Sequence, residues 1–248
     1  MSTWPDILFS QGFGTRRECL ALLNAGLVTH AGKTASADDA VDPTGLRFEV
    51  RGEAWPWYAK ALLLLHKPAG VECSRRPKHY PGVMSLLPAP LRRRDVQPVG
   101  RLDADTTGLL LLTDDGALIH RLTSPKRHVP KVYEVDTTGP VTAAQVDALR
   151  RGVVLRDDPR PAQAADCAAT GERSLRLTLL EGRYHQVKRM VAAVGNEVRA
   201  LHRSRFGALD LPADLAPGQW RWLDGPDAIL GPPDTDHNAG SDPSRSRP

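Results

Sequence analysis

Cysteine is scarce: the 248-residue chain has three, Cys19, Cys73 and Cys167. An odd number of distant cysteines builds neither a disulfide framework nor a zinc site, so a reducing cytoplasm is the expected setting. Long apolar runs are also missing. No stretch reaches the roughly 20 residues needed to cross a bilayer, and the N-terminus lacks the basic, apolar and small-residue succession of a secretory signal. The eight histidines show no closely spaced ligand pair. No glycine loop opens a helix to cradle phosphate, which leaves "GVMSLL" and "GFGTRR" poor nucleotide sites, and there is no serine nucleophile elbow. Zinc chemistry, nucleotide hydrolysis and serine hydrolysis are thereby set aside, and neither a metal nor an organic cofactor is expected.

What is present is an ordinary globular mixture, 41% hydrophobic and 25% charged, with a net charge of +4 and a pI near 9.1. Net charge alone says little about partners, but its distribution says more. The stretch 183–207, "RYHQVKRMVAAVGNEVRALHRSRFG", carries Arg183, Lys188, Arg189, Arg199, Arg203 and Arg205 against one acid, Glu197. "SRRPKHY" and "PLRRRD" add shorter basic clusters. A solvated helix face normally mixes signs, so this concentration points to phosphate contact and a nucleic-acid partner.

Three parts are expected along the chain: a small module over 1–57, a larger domain over 58–230, and a disordered tail over 231–248 that has almost no apolar residues. In the first, "TRRECLALLNAG" has leucines near helical spacing, Thr15 as N-cap and Gly26 as stop. "LVTHAGK" then reads as a hairpin turning through Ala31-Gly32, and "LRFEV" as a strand. In the second, "KALLLLHKPAG" and "GLLLLTDD" read as buried strands. A loop over 71–98 with a short helix near "VMSLL" separates them. "KVYEVDTTG" and "SLRLTLLEGR" read as further strands, and "TAAQVDALRRG" as a helix. In "YHQVKRMVAAVG", Val187, Met190, Val191 and Val194 recur at helical intervals, with Gly195 closing the helix. Helices mixed with short strands, without a βαβ rhythm, argue for α+β: a largely antiparallel mixed sheet flanked by helices, behind a small α/β-hairpin module.

One loop raises a question of chemistry. "VGRLDADTTGLLLLTDDG" (99–116) sets Asp103 and Asp105 immediately before four leucines. Most aspartates in such places are turn residues that bond their own backbone. The alternative is a carboxylate held on a rigid scaffold for nucleophilic work, since an ordinary aspartate, with a pKa of about 3.9, is ionised at neutral pH. Tyr133 on a strand would suit stacking of an everted base, though a strand tyrosine is more often packing. Lys188 would suit a counter-ion, though it also fits the polar side of its helix.

Together these stretches resemble the RsuA/RluB-type pseudouridine synthases. "GRLDADTTGLLLL" is similar to the family's Gly-Arg-Leu-Asp signature, "LLLLHKPAGVECS" to its Lys-Pro-x-Gly segment and "PKVYEV" to its Lys-x-Tyr motif. "LTLLEGRYHQVKRMVAAVGNEVRALHRSRFGALDL" resembles the third motif almost throughout, and "DLAPGQWRWL" the closing strand. Residues 1–57 resemble the small RNA-binding module of the ribosomal-protein S-four type, although "WPDILFSQGFG" departs from its usual start. The resemblance implies isomerisation of uridine to pseudouridine in ribosomal RNA without a cofactor. It makes Asp103 the catalytic aspartate, Tyr133 the residue stacked on uracil, Lys188 the aspartate's partner and Leu201 a wall of the uracil pocket. Arg101 is implied to anchor the loop or a phosphate. Further RNA contacts are expected from Arg183, Arg189, Arg199, Arg203, Arg16 and Arg17. "HKPAGVECS" and "LTSPKRH" look nearest to the small-subunit enzyme. Large-subunit rRNA, or a non-catalytic assembly factor on the same fold, are the alternatives. The expected partner is ribosomal RNA or a subunit assembly intermediate, met by a monomer away from membranes.

Overall fold

The computed structural model describes residues 2–74, 76–156 and 158–231; apart from Gly231, the expected tail lies outside them. Near the N-terminus, helices α1 (Trp4–Ser10) and α2 (Arg16–Asn24) pack on a four-stranded sheet. Its strands are β1 (Val28–His30), β2 (Lys33–Thr34), β3 (Arg47–Val50) and β4 (Glu53–Pro56). Thr15 caps α2 in a capping box with Glu18. Ala31 and Gly32 turn the β1–β2 hairpin with φ of 49° and 75°, the paired left-handed conformation that two-residue hairpins favour. Helix α1 has no counterpart in the sequence reading, because its seven residues are too few to show a period.

The second unit is built on β5 (Leu62–Lys67), β6 (Thr107–Thr113), β7 (Lys131–Thr137), β8 (Asp166–Gly171), β9 (Ser174–Leu179), β10 (Val198–Phe206) and β11 (Trp220–Trp222). In space they run β8-β9-β7-β10-β6-β5-β11, with two short strands pairing at the side. Every pairing along this path is antiparallel except β10 with β6, which makes the sheet mixed and largely antiparallel, as expected. Helices α3 (Ala89–Arg93), α4 (Gly116–Thr123), α5 (Ala143–Arg151) and α6 (Gln186–Ala193) flank it. The region 71–98 holds more than the short helix expected of it: a 3₁₀ turn at Val83–Leu86 is followed by α3.

The leucine runs explain the sheet. Side chains alternate across a strand. Leu63, Leu65, Leu110 and Leu112 therefore join one apolar cluster, while Leu62, Leu64, Leu109 and Leu111 join the other. A strand buried on both faces needs an unbroken apolar run. Each fully buried leucine contributes about 1.5–3 kcal/mol, so this strand pair is a firmly packed base for the loops it carries. Gly108 allows its junction with β10. Its φ is +107°, and a Cβ there would stand 2.3 Å from the Arg203 carbonyl oxygen. Strand β10 itself escapes the sequence reading, because Arg199, Arg203 and Arg205 mask its alternation.

The two units are locked by one guanidinium. Arg94 donates to Asp114 Oδ2 (2.9 Å), Gln11 Oε1 (2.6 Å) and the Tyr58 carbonyl (3.0 Å). Its side chain is 3% exposed. Trp222 of β11 packs edge-on against Trp55 beside it.

Candidate active site

The turn that leads into β6 begins the site, and a lysine at the end of β5 fixes it. Lys67, wholly buried at the end of β5, donates from Nζ to the carbonyls of Pro68 (3.0 Å), Ala104 (3.2 Å) and Thr106 (2.8 Å). Burial pushes its pKa down, and Asp105 and Asp103 act in the opposite direction. The Gly70 amide adds a bond to Ala104 O (2.8 Å), and the Thr106 amide closes the turn onto Asp103 O (3.1 Å). A turn tied at both ends to the leucine strands holds whatever side chain it carries.

That side chain is Asp103. Its carboxylate stands 3.2 Å from His185 Nε2 and 3.3 Å from Lys188 Nζ. Helix α6 supplies both partners: His185 at its N-cap and Lys188 in its first turn. Lys188 also donates to both oxygens of Asp105, at 2.7 and 2.8 Å. Burial works against its charge, but Asp105 and Asp103 together hold its pKa above the ordinary lysine value. Burial likewise raises Asp105, and the Lys188 ammonium more than reverses it, leaving that carboxyl below its usual range.

Asp103 opens on a pocket of about 740 Å³, also lined by Tyr133, Lys188, Leu201, Arg101, Arg183 and Arg203. Tyr133 lies on β7 directly opposite Arg203 on β10. Two buried cations form the wall there. Lys131, 8% exposed, donates to Val129 O at 2.8 Å, and burial brings its pKa down to about 8, with Arg203 adding to the shift. Arg203, 3% exposed, donates from Nε to Leu109 O at 2.8 Å; its Nη2 has no partner among the described residues. Both cations sit over the Phe206 ring. No group of three or more His, Cys, Asp or Glu residues suited to a metal occurs among the described residues.

The remaining arginines fare differently. Arg189, Arg199, Arg16 and Arg17 are outside the pocket lining. Arg16 pairs with Asp6, and Arg199 with Asp136 at 3.4 Å. Arg183 is consumed internally by Asp158, Glu181 and the carbonyls of Arg160 and Pro161. Arg205 pairs with Asp210. The stretch 183–207 is thus not a single unopposed basic face. Its counter-charges lie outside it: Asp158 and Asp136 come from distant segments, while Glu181 and Asp210 flank the stretch. Sequence reading also passed over Lys67, Lys131 and His185 as site residues. All three lay in motifs already quoted, and a lysine ending a fully apolar strand is a signal in itself, since its charge must be answered inside.

A loop aspartate, a strand tyrosine and a helix lysine thus converge on one pocket, as in an enzyme that holds a flat group beside a fixed carboxylate. Residues 61–193 match the family described as RNA pseudouridylate synthase. A Bacillus subtilis (strain 168) protein called an uncharacterized RNA pseudouridine synthase is 40% identical over 221 residues, covering 88% of this chain and 92% of its own. The ribosomal small subunit pseudouridine synthase A of Vibrio cholerae is 38% identical, covering 84% and 90%; that of Escherichia coli K12 is 45% identical, covering 64% and 69%. A crystal structure of a pseudouridylate synthase superposes with a TM-score of 0.63 at 34% identity, covering 90% of this chain and 96% of that one. The chain belongs to the RNA pseudouridylate synthase family, in its RsuA-type branch, and is an RNA-modifying isomerase.

Proposed function

We propose that this enzyme converts uridine to pseudouridine in small-subunit ribosomal RNA, with Asp103 as nucleophile. The observation that carries the reading is the Asp103–Lys188 pair, at 3.3 Å, at a pocket shared with Tyr133 and Leu201. The names of the Vibrio cholerae and Escherichia coli relatives support the small-subunit substrate.

In this reading the target uridine is everted into the pocket, Tyr133 stacks on the uracil and Leu201 packs its edge. The Asp103 carboxylate attacks, the bond from uracil N1 to ribose C1′ breaks, and the electron pair leaves with the base. The base turns while held. Carbon five then bonds to C1′, the aspartate is released, and the proton on carbon five is lost while N1 gains one. Lys188, 3.3 Å away, aims the attacking carboxylate. Its own protonation is secured by Asp105 as well as Asp103, so it acts as a fixed cation and not as a proton donor. Arg101 and Arg203 meet the substrate in the pocket, Arg183 braces the pocket wall through its ion pairs, Arg189, Arg199, Arg16 and Arg17 meet flanking phosphates outside it, and residues 1–57 form an RNA-binding module ahead of the isomerase domain over 58–230. The enzyme works as a cytoplasmic monomer on rRNA or an assembly intermediate.

Tritium release from carbon five of uridine in rRNA transcripts tests this. Release from small-subunit transcript alone is expected. Release from large-subunit transcript alone would move the substrate, and release from neither, including assembly particles, would overturn the reading.

A further inference from the structure

Tyr184 and Tyr80 are the exposed tyrosines among the described residues, 66% and 52% accessible, and both line the pocket that Asp103 faces. A tyrosine ring that lines a pocket and stays open to solvent presents a flat face on which another ring can stack. The more informative of the two is Tyr184. Its ring stacks on that of His185 with centroids 3.8 Å apart and planes within 19°. Neighbouring side chains usually diverge along a chain. Here His185 has φ +47°, a left-handed conformation rare for a residue with a Cβ, and the kink brings the two rings together. The surroundings enforce it. Gln186, itself buried, accepts the Arg183 amide at 2.8 Å and donates to Glu181 at 2.9 Å. Arg189 donates to the Tyr184 carbonyl at 2.9 Å. Such conformations persist where structure over-determines them, and they gather at functional sites.

One face of the Tyr184 ring is therefore covered by imidazole, the ring is largely open to solvent, and the same imidazole stands 3.2 Å from Asp103. The same pocket is lined by Arg76, Lys78 and Arg101, while Arg183 and Lys188 beside the step are already paired with acids. A flat, exposed ring in a pocket that also carries cations matches single-stranded RNA, whose bases stack on aromatics while phosphates meet the charges. We infer that the Tyr184–His185 stack is a platform for the unpaired nucleobase next to the everted uridine. The inference rests on the functional reading above. It adds a requirement that reading lacks: the target's neighbour must also leave its helix.

Base–aromatic stacking in single-stranded complexes corresponds to roughly five- to hundredfold in affinity. The test compares Tyr184→Leu with Tyr184→Phe by steady-state tritium release on small-subunit rRNA transcript and by filter binding to the same RNA. Tyr184→Leu should raise KM and the dissociation constant together, by about tenfold, with the loss falling on KM and not on kcat, as expected for binding made equally in ground and transition states. Tyr184→Phe should restore both. Unchanged affinity in Tyr184→Leu would overturn the platform, as would an equal loss in Tyr184→Phe, which would assign the effect to the phenol hydroxyl. A native protein that binds the transcript but releases no tritium would sink the functional reading, while the binding comparison still decides the platform.

Discussion

Two places in this molecule bury cations, and they are built to opposite ends. At the junction of the two units, Arg94 has its donors answered by Asp114, Gln11 and the Tyr58 carbonyl, in a site that excludes water. At the pocket wall, Lys131 and Arg203 are equally enclosed, yet neither has a carboxylate partner, and Arg203 Nη2 is unanswered among the described residues. A buried charge is costly unless it is paired and bonded. The first cluster meets that condition and holds the fold. The second does not, and two like charges facing the pocket are a cost to stability that the proposed RNA substrate would offset.

The largest effect should come from breaking the junction. Arg94→Ala leaves Asp114 and Gln11 facing each other without a cation, and should cost about 3–5 kcal/mol in urea unfolding. Arg94→Lys, which has no planar fork, should recover only part of it. If Arg94→Ala unfolded like the native protein, the junction would not be the lock described.

At the wall the sign reverses. Lys131 has a pKa of about 8 against an ordinary 10.5, so the unfolded chain binds its proton more tightly. The penalty is complete below about pH 8 and is relieved as pH rises from 8 to 10.5. Lys131→Met should therefore be more stable than native by on the order of 1–3 kcal/mol at pH 7, while binding rRNA less well. The difference in stability should shrink toward pH 10. A destabilised Lys131→Met with no such pH trend would make the two clusters alike after all.

The smallest change sharpens the account of Lys188. Asp105→Asn removes the more exposed of its two carboxylates, and stability should move by less than about 1 kcal/mol. Turnover should fall only a few-fold, because Asp103 still holds the ammonium. A loss as deep as that of Asp103→Asn would transfer the central role to Asp105.

The contrast also explains what could be read in advance. The leucine strands and helix α6 announce themselves because burial on one or two faces writes a period into the chain, and the Asp103 loop carried its meaning in the residues around it. Strand β10 was hidden because its inward positions include Arg203, a charge where the pattern calls for an apolar group. The ion pairs that neutralise Arg183, Arg199 and Arg205 were equally invisible, since Asp158, Asp136 and Asp210 reach them through tertiary folding and, for Asp210, a chain reversal. Lys67 was legible in principle. A lysine closing an apolar strand beside Pro68 must find carbonyls, and two of those it finds belong to the Asp103 loop.

All of this turns on the carboxylate at 103, and replacing it by its amide tests it most directly. Asp103→Asn keeps the size of the side chain while removing its charge and nucleophilicity. The account predicts that the variant binds small-subunit rRNA as native does and releases no tritium from uridine carbon five. Turnover equal to that of the native enzyme would contradict it.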